Sequence, residues 1–150
     1  MTFAHPSPTA VLDTNVVLDW FVFRDPAVAP LAQAIESGRL RWLCCEPMRA
    51  ELAHVLARGR IDLRGTAVED VLTSSLRWQL PVELSTRLPE TRLRCSDSSD
   101  QMFLDLALQA GATWLISRDR ALLALRRKAA RLGLQVGAPA HWAGEPPARA

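Results

Sequence analysis

A three-layer α/β/α domain, with helices on both faces of a central, mainly parallel sheet, is the fold class this sequence predicts. Two observations point there. Short apolar runs ("AVLD", "LRWLCC", "TWLIS") alternate along the chain with longer stretches of helical periodicity. Such alternation reads as βαβ units, whose parallel strands are covered on both faces. The 150 residues suit a single domain that buries roughly two thirds of its unfolded surface.

Taken in order, residues 1–9 read as a loose leader, and "AVLD" as a short buried strand. Two helices are expected near 15–22 and 27–37, the second ending at Gly38. "LRWLCC" is a second strand. "EPMRAELAHVLAR" is a helix with Pro47 at a first-turn position, where the missing N–H costs nothing. Residues 67–79 read as a further helix, and 81–94 as an irregular stretch of undetermined strand content. "SSDQMFLDLALQAG" is a helix with serine capping candidates before it and Gly111 at its end. "TWLIS" is a third strand, "RALLALRRKAARLG" a helix and "LQVGAP" a last strand. The tail "AGEPPARA", residues 143–150, reads as flexible, which leaves residues 10–142 as the domain. No internal repeat or low-complexity segment interrupts it.

Composition narrows the function classes. An apolar fraction of 49% and a charged fraction of 23% are ordinary for a soluble globular protein. The formal charge of +2 is too small to identify a nucleic-acid partner. Lys128 is the only lysine; arginine favours bidentate phosphate contacts, though codon bias explains the same excess. No segment reaches the roughly 18 continuous apolar residues of a membrane helix. Asp13 and Asp19 break the first hydrophobic run, and no basic segment precedes it, so a secretory signal is not expected. Cys44, Cys45 and Cys95 form no CxxC pattern, which fits a reducing cytoplasm and structural burial. His5, His54 and His141 are too scattered to complete a zinc site with them. The five tryptophans read as core, with base stacking or a partner interface the other reading for Trp20 and its neighbour Phe21.

The acids carry the chemistry. In parallel α/β sheets, ligands gather at the carboxyl ends of strands, near a topological switch point. Asp13 directly follows "AVL", and Asp119 ends "TWLISRD". Helix capping explains either one alone; two at strand ends of one sheet suggest a site. On a helix, Asp100 shares a face with Phe103, Leu104 and Ala107, and so points inward. Asp105 falls on the opposite, solvated side. Asp97 precedes that helix and serves as a cap or as an additional acid. Glu51 lies at the edge of an apolar face between Met48 and Val55, while Glu46 favours the positive helix N-terminus.

If Asp13, Glu51, Asp100 and Asp119 converge, each pair at 4 Å repels by about 4 kcal/mol at an effective dielectric of 20. Such a cluster must take up protons or cations. All-oxygen ligands suit Mg²⁺ or Mn²⁺, and carboxylate-held ions with open water positions hydrolyse phosphodiesters.

"VLDTN", the glutamate of "PMRAEL", "SDSSDQMFLDLALQAGA" and "WLISRD" together resemble the PIN-domain family, in particular the VapC-like toxin components of bacterial toxin–antitoxin pairs. The resemblance spans roughly residues 10–142 and rests on the order and spacing of these motifs. It implies a PIN-like, Rossmann-like α/β/α fold and a metal-dependent endoribonuclease. Asp13, Glu51, Asp100 and Asp119 match the family acids. Asp13, Asp100 and Asp119 would hold one or two Mg²⁺ or Mn²⁺ ions, with Glu51 as an added ligand or orienting base, and an activated water would leave a 5′-phosphate and a 3′-hydroxyl. Asn15 and Ser117 match the polar residues that orient the carboxylates. Ser99 stands where related sequences carry an acid, leaving Asp97 and Asp100 there. Arg118 and Arg120, or Arg24, are candidates for substrate phosphates, and "RRKAAR" reads as a solvated helix end. The resemblance further implies an RNA substrate, a cognate antitoxin, a homodimer and a cytoplasmic location without membrane attachment. The alternative is a catalytically inactive PIN-like module that binds RNA or protein. A phospho-accepting receiver would need a lysine near the later strands, and a haloacid-dehalogenase-type phosphatase would need an aspartate where Asn15 stands; neither is met.

Overall fold

The computed structural model describes residues 7–85 and 87–142. Five strands form one sheet: β1 (Thr9–Leu12), β2 (Arg41–Cys44), β3 (Gln79–Pro81), β4 (Trp114–Ile116) and β5 (Gln135–Gly137). Their spatial order is β3-β2-β1-β4-β5, and every neighbouring pair is parallel. The chain builds outward from β1 through β2 to β3, then crosses back to place β4 on the other side of β1. The direction of winding therefore reverses between β1 and β4. A doubly wound sheet opens a crevice at the carboxyl ends of such a pair, because the following connections leave towards opposite faces.

Seven helices cover the sheet: α1 (Thr14–Phe21), α2 (Ala29–Glu36), α3 (Glu46–Ala57), α4 (Val68–Leu76), α5 (Gln101–Gln109), α6 (Arg120–Leu123) and α7 (Arg126–Arg131). Strand alternation decides which core each strand residue enters. Ala10 and Leu12 of β1, with Trp114 and Ile116 of β4, pack against α1, α2 and α4. Val11 and Leu115 point the other way, against α5, α6 and α7. Helix α3 straddles the two layers, with Met48 in the second core and Leu52 and Leu56 in the first. Pro47 sits in its first turn. Two glycines end helices where only a left-handed residue closes the turn economically. Gly38 has φ +79° after α2, and Gly111 has φ +65° after α5, where the Ala112 N–H returns to the Ala107 carbonyl at 2.9 Å.

Several expectations shift. Strand β1 begins at Thr9, one residue inside the stretch read as leader. The helix expected over 67–79 stops at Leu76, and Gln79–Pro81 pairs in parallel with β2 as the edge strand. Three residues ending in proline give no alternation signal, and proline is tolerated there because an edge strand leaves one side unpaired. The helix expected from Arg120 to Gly133 is two helices. An i→i+3 bond from the Leu125 N–H to the Leu122 carbonyl tightens the chain between α6 and α7, with no glycine or proline to announce it. Residues 1–6, including His5, and 143–150 lie outside the described residues.

Asp105 is the largest correction. It is not solvated but 7% exposed, accepting hydrogen bonds from Arg92 Nε and Gln101 Nε2, both at 2.9 Å. The irregular segment before α5 folds over the face that periodicity assigns to water, and Arg92 supplies the counter-charge. Trp20 is half-buried, stacked on Phe21 with centroids 4.3 Å apart and 5.6 Å from buried Trp42. The three cysteines are free and buried, and burial pushes the Cys44 thiol up to about 12. Among the described residues, no helix is long and apolar enough to cross a membrane.

Removing one partner of a buried ion pair strands the other. Arg92→Ala is expected to lower the unfolding free energy by about 2–4 kcal/mol in urea denaturation. Arg94→Ala, exposed on the same segment, should change it by less than about 0.5 kcal/mol. Equal effects would rule out a special role for the Arg92–Asp105 pair.

Candidate functional site

The backbone leaves β1 at Leu12, and the Asp13 N–H extends the ladder to the Ile116 carbonyl of β4 at 3.1 Å. Asp13 therefore lies in the β1–β4 crevice. It caps α1 in an extended conformation, with Oδ1 accepting the Val16 N–H at 2.9 Å. Its other oxygen, Oδ2, accepts the Ser117 hydroxyl. Ser117, fully buried, donates its own N–H to the Gly137 carbonyl at 3.0 Å, and its Oγ accepts the Asp119 N–H at 2.9 Å. Asp119 then caps α6, with Oδ1 accepting the Ala121 N–H at 2.8 Å. Each strand-end aspartate is thus both a helix cap and a member of the crevice. Capping and chemistry are compatible, because a capping carboxylate keeps lone pairs free.

Asp100 enters from the opposite layer. A 3₁₀ turn, Ser98–Asp100, precedes α5 and is capped by Asp97, which accepts the Ser99 N–H at 3.0 Å and the Ser99 hydroxyl at 2.7 Å. As its phase predicts, Asp100 opens the stripe of Phe103, Leu104 and Ala107, all buried. One of its oxygens, Oδ2, is buried without a hydrogen-bond partner. Carboxylate oxygens of Asp97, Asp100 and Asp119 lie within 4.8 Å of one another, the one such acidic group among the described residues. Asp13 and Glu51 stand outside it. Asp13, 3% exposed, is nevertheless close enough that its charge acts on Asp100. Glu51 accepts the Thr14 hydroxyl, which anchors α3 beside the start of α1.

The electrostatics follow from burial and like charge. Asp13 is raised to about 6, chiefly by desolvation, against the opposing bonds from Ser117 and Val16 and the charge of Arg118. Asp100 is raised to about 7: burial comes first, then a hydrogen bond to Asp119 that only its protonated form can make, then the charges of Asp119, Asp97 and Asp13. Asp97 shifts the other way, held low by the Ser99 hydroxyl and N–H. The arrangement is an acidic pocket whose ionisation needs a proton or a cation. Its donors are all oxygens and one is orphaned, which fits a hard divalent ion such as Mg²⁺ or Mn²⁺.

Asn15 is exposed on the first turn of α1. The side-chain oxygens of Asp13 accept from the Ser117 hydroxyl and the Val16 N–H. Arg120 is exposed at the start of α6. Arg118 is not a free surface cation: Nη2 donates to Asp19 Oδ1 at 3.0 Å, and Nε lies 2.7 Å from Oδ2. Sequence reasoning missed Thr14 and Asp19. The available signal for Asp19 was its place between Leu18 and Trp20 in an apolar helix, where a carboxylate demands a partner. That partner is 99 residues away, so no local pattern identifies it.

Comparison with known proteins agrees with this architecture. A family model described as PIN domain matches residues 9–121. Among solved structures, the chain is similar to one from VapBC2 of Rickettsia felis, determined bound to a DNA fragment from their promoter. The TM-score is 0.61 at 13% identity, covering 87% of this chain and 98% of that one. At that identity the likeness is one of fold. No curated protein sequence matches the chain.

Asp13 and Asp100 have folded pKa values above the ordinary aspartate value, so each favours the folded state while protonated. That contribution is complete below about 4 and is lost as pH rises through about 6 and 7. Asp13→Asn keeps the cap and removes the buried charge. Without divalent ions it should be more stable than the wild type at pH 8 by about 1–3 kcal/mol, with no advantage at pH 4.5. Chemical denaturation at both pH values checks this, and a variant weaker than the wild type at pH 8 would refute it.

Proposed function

The chain belongs to the PIN-domain family, and from that premise we propose that it is a divalent-metal-dependent endoribonuclease, the toxin member of a type II toxin–antitoxin pair. The observation that carries this reading is the bare, buried Oδ2 of Asp100 beside Asp119 and Asp97 at the β1–β4 switch point. A module that only bound RNA or protein would gain nothing from carboxylates that repel one another. In this reading Asp100 and Asp119 are the central ligands, with Asp97 on the exposed side and Asp13 on the buried side.

A bound Mg²⁺ or Mn²⁺, one ion or two, supplies a water of lowered pKa and neutralises charge on the phosphate under attack. The protein's own part is orientation. Ser117 and the α1 cap hold Asp13, and the α6 cap holds Asp119. Glu51, tied to Thr14, stands by as an added acid at the start of α1. Arg120, exposed directly after Asp119, would meet a substrate phosphate. The fold shared with a chain of VapBC2 supports a cognate antitoxin as partner. A homodimer, a cytoplasmic location and a domain spanning residues 10–142 complete the reading.

Single-stranded RNA incubated with the protein should be cleaved with Mn²⁺ or Mg²⁺ and left intact with EDTA. Asp100→Asn should reduce the rate by more than about 100-fold, beyond the 10–100-fold cost typical of losing an outer-shell partner. Asp97→Asn should cost less. Full activity in Asp100→Asn would transfer the central role to Asp97. A wild type that neither binds Mn²⁺ calorimetrically nor cuts RNA would leave the inactive binding module as the reading.

A further inference from the structure

Asp19 is the buried acid that the nuclease reading leaves unused. It sits in α1, 4% exposed, among Leu18, Val17 and the half-buried Trp20. Burying a carboxylate costs several kcal/mol in general, and a well-packed apolar residue commonly serves stability as well or better. Its partner is Arg118, which reaches across from the connection after β4 with both Nη2 and Nε. Arg118 stands between the two residues on which the site depends: Ser117, the donor to Asp13, and Asp119, which shares the acidic group with Asp100. Helix α1 and the β4–α6 connection are therefore tied twice. The Ser117 bond joins the connection to the cap of α1, and the ion pair joins it to the second turn. The ion pair is the second side-chain tie between α1 and this connection, more than one helical turn beyond the Ser117 bond.

We propose that Asp19 is a positioning residue of this site, acting through Arg118 to hold Ser117 and Asp119 in register with α1. The proposal rests on the reading of Asp100 and Asp119 as metal ligands. Asp19 itself touches neither substrate nor ion.

Asp19→Asn keeps the shape and removes the charge that orients the guanidinium. Arg118→Lys keeps the charge and loses the two-pronged grip. Leu56→Ala, roughly 15 Å along α3 from the crevice end of the sheet, is the control for general destabilisation. Two readouts apply to the purified full chain, each well below the melting temperature: Mn²⁺ affinity by calorimetry, and amide hydrogen exchange of the Asp119 and Ala121 N–H groups without metal. Asp19→Asn should weaken Mn²⁺ binding by about 10-fold or more and speed exchange at those two amides. Arg118→Lys should show the same pattern more weakly, and Leu56→Ala should leave Mn²⁺ affinity unchanged despite a lower melting temperature.

Wild-type exchange rates in Asp19→Asn overturn the proposal. So does faster exchange with unchanged Mn²⁺ affinity, because the pair would then be structural only. If the wild type binds no Mn²⁺, the metal-centre reading falls instead, and exchange at Asp119 and Ala121 decides the positioning claim by itself.

Discussion

The hydroxyl of Ser117 is the constraint on which the rest of the site depends. It is fully buried between β1 and β4, donates to Asp13 and accepts from the Asp119 N–H. One small side chain thereby couples the two strand-end aspartates across the switch point. The parallel topology brings the carboxyl ends of β1 and β4 side by side; Ser117 converts that proximity into a fixed relation between carboxylates. Helix caps do the remainder, since α1 and α6 each begin at one of these acids. The sheet, the caps and the site are in this sense one structure.

Much of this was legible in the sequence, for physical reasons that also explain what was not. Fully buried parallel strands leave an unmistakable apolar run, so β1, β2 and β4 were readable. An acid that ends such a run is placed by topology, and Asp13 and Asp119 followed from that alone. Asp100 was readable from helix phase, which reports the face a residue shares with its neighbours. What phase cannot report is cover supplied from elsewhere in the chain. Asp105 was assigned to water because its own helix turns it away from the core, yet Arg92 and the segment before α5 enclose it. Asp19 failed in the same way, its partner lying beyond any local window. Strand β3 was lost because three edge residues carry too little pattern, and the break between α6 and α7 because a tightened turn needs no special residue.

The site and the fold pull in opposite directions. Asp13 and Asp100 are both raised well above ordinary aspartates, which means that the folded chain pays in stability for ionising them. Proteins that depart from local consistency in this way tend to do so at functional positions. The Asp105–Arg92 pair makes the contrast plain. There a buried acid has a cation and an amide to satisfy it, and the group is closed. At Asp100 an oxygen is buried and left open. The contrast is between an acid closed by a cation and an amide and one whose buried oxygen has neither.

Ser99 brings the same logic to the exposed side of the site. It occupies a position where the family resemblance leads one to expect an acid, and one acid fewer is one oxygen ligand fewer for a cation. Its hydroxyl and N–H instead both bond Asp97, lowering that carboxyl while burial raises Asp13 and Asp100. An acid at 99 would repel Asp97 and raise its pKa, whereas the two donors of the serine lower it. The exposed acid of the pocket is thus the one held low, while the two that burial raises lie within. Serine at 99 therefore gives Asp97 two donors where the expected acid would give it a repelling neighbour.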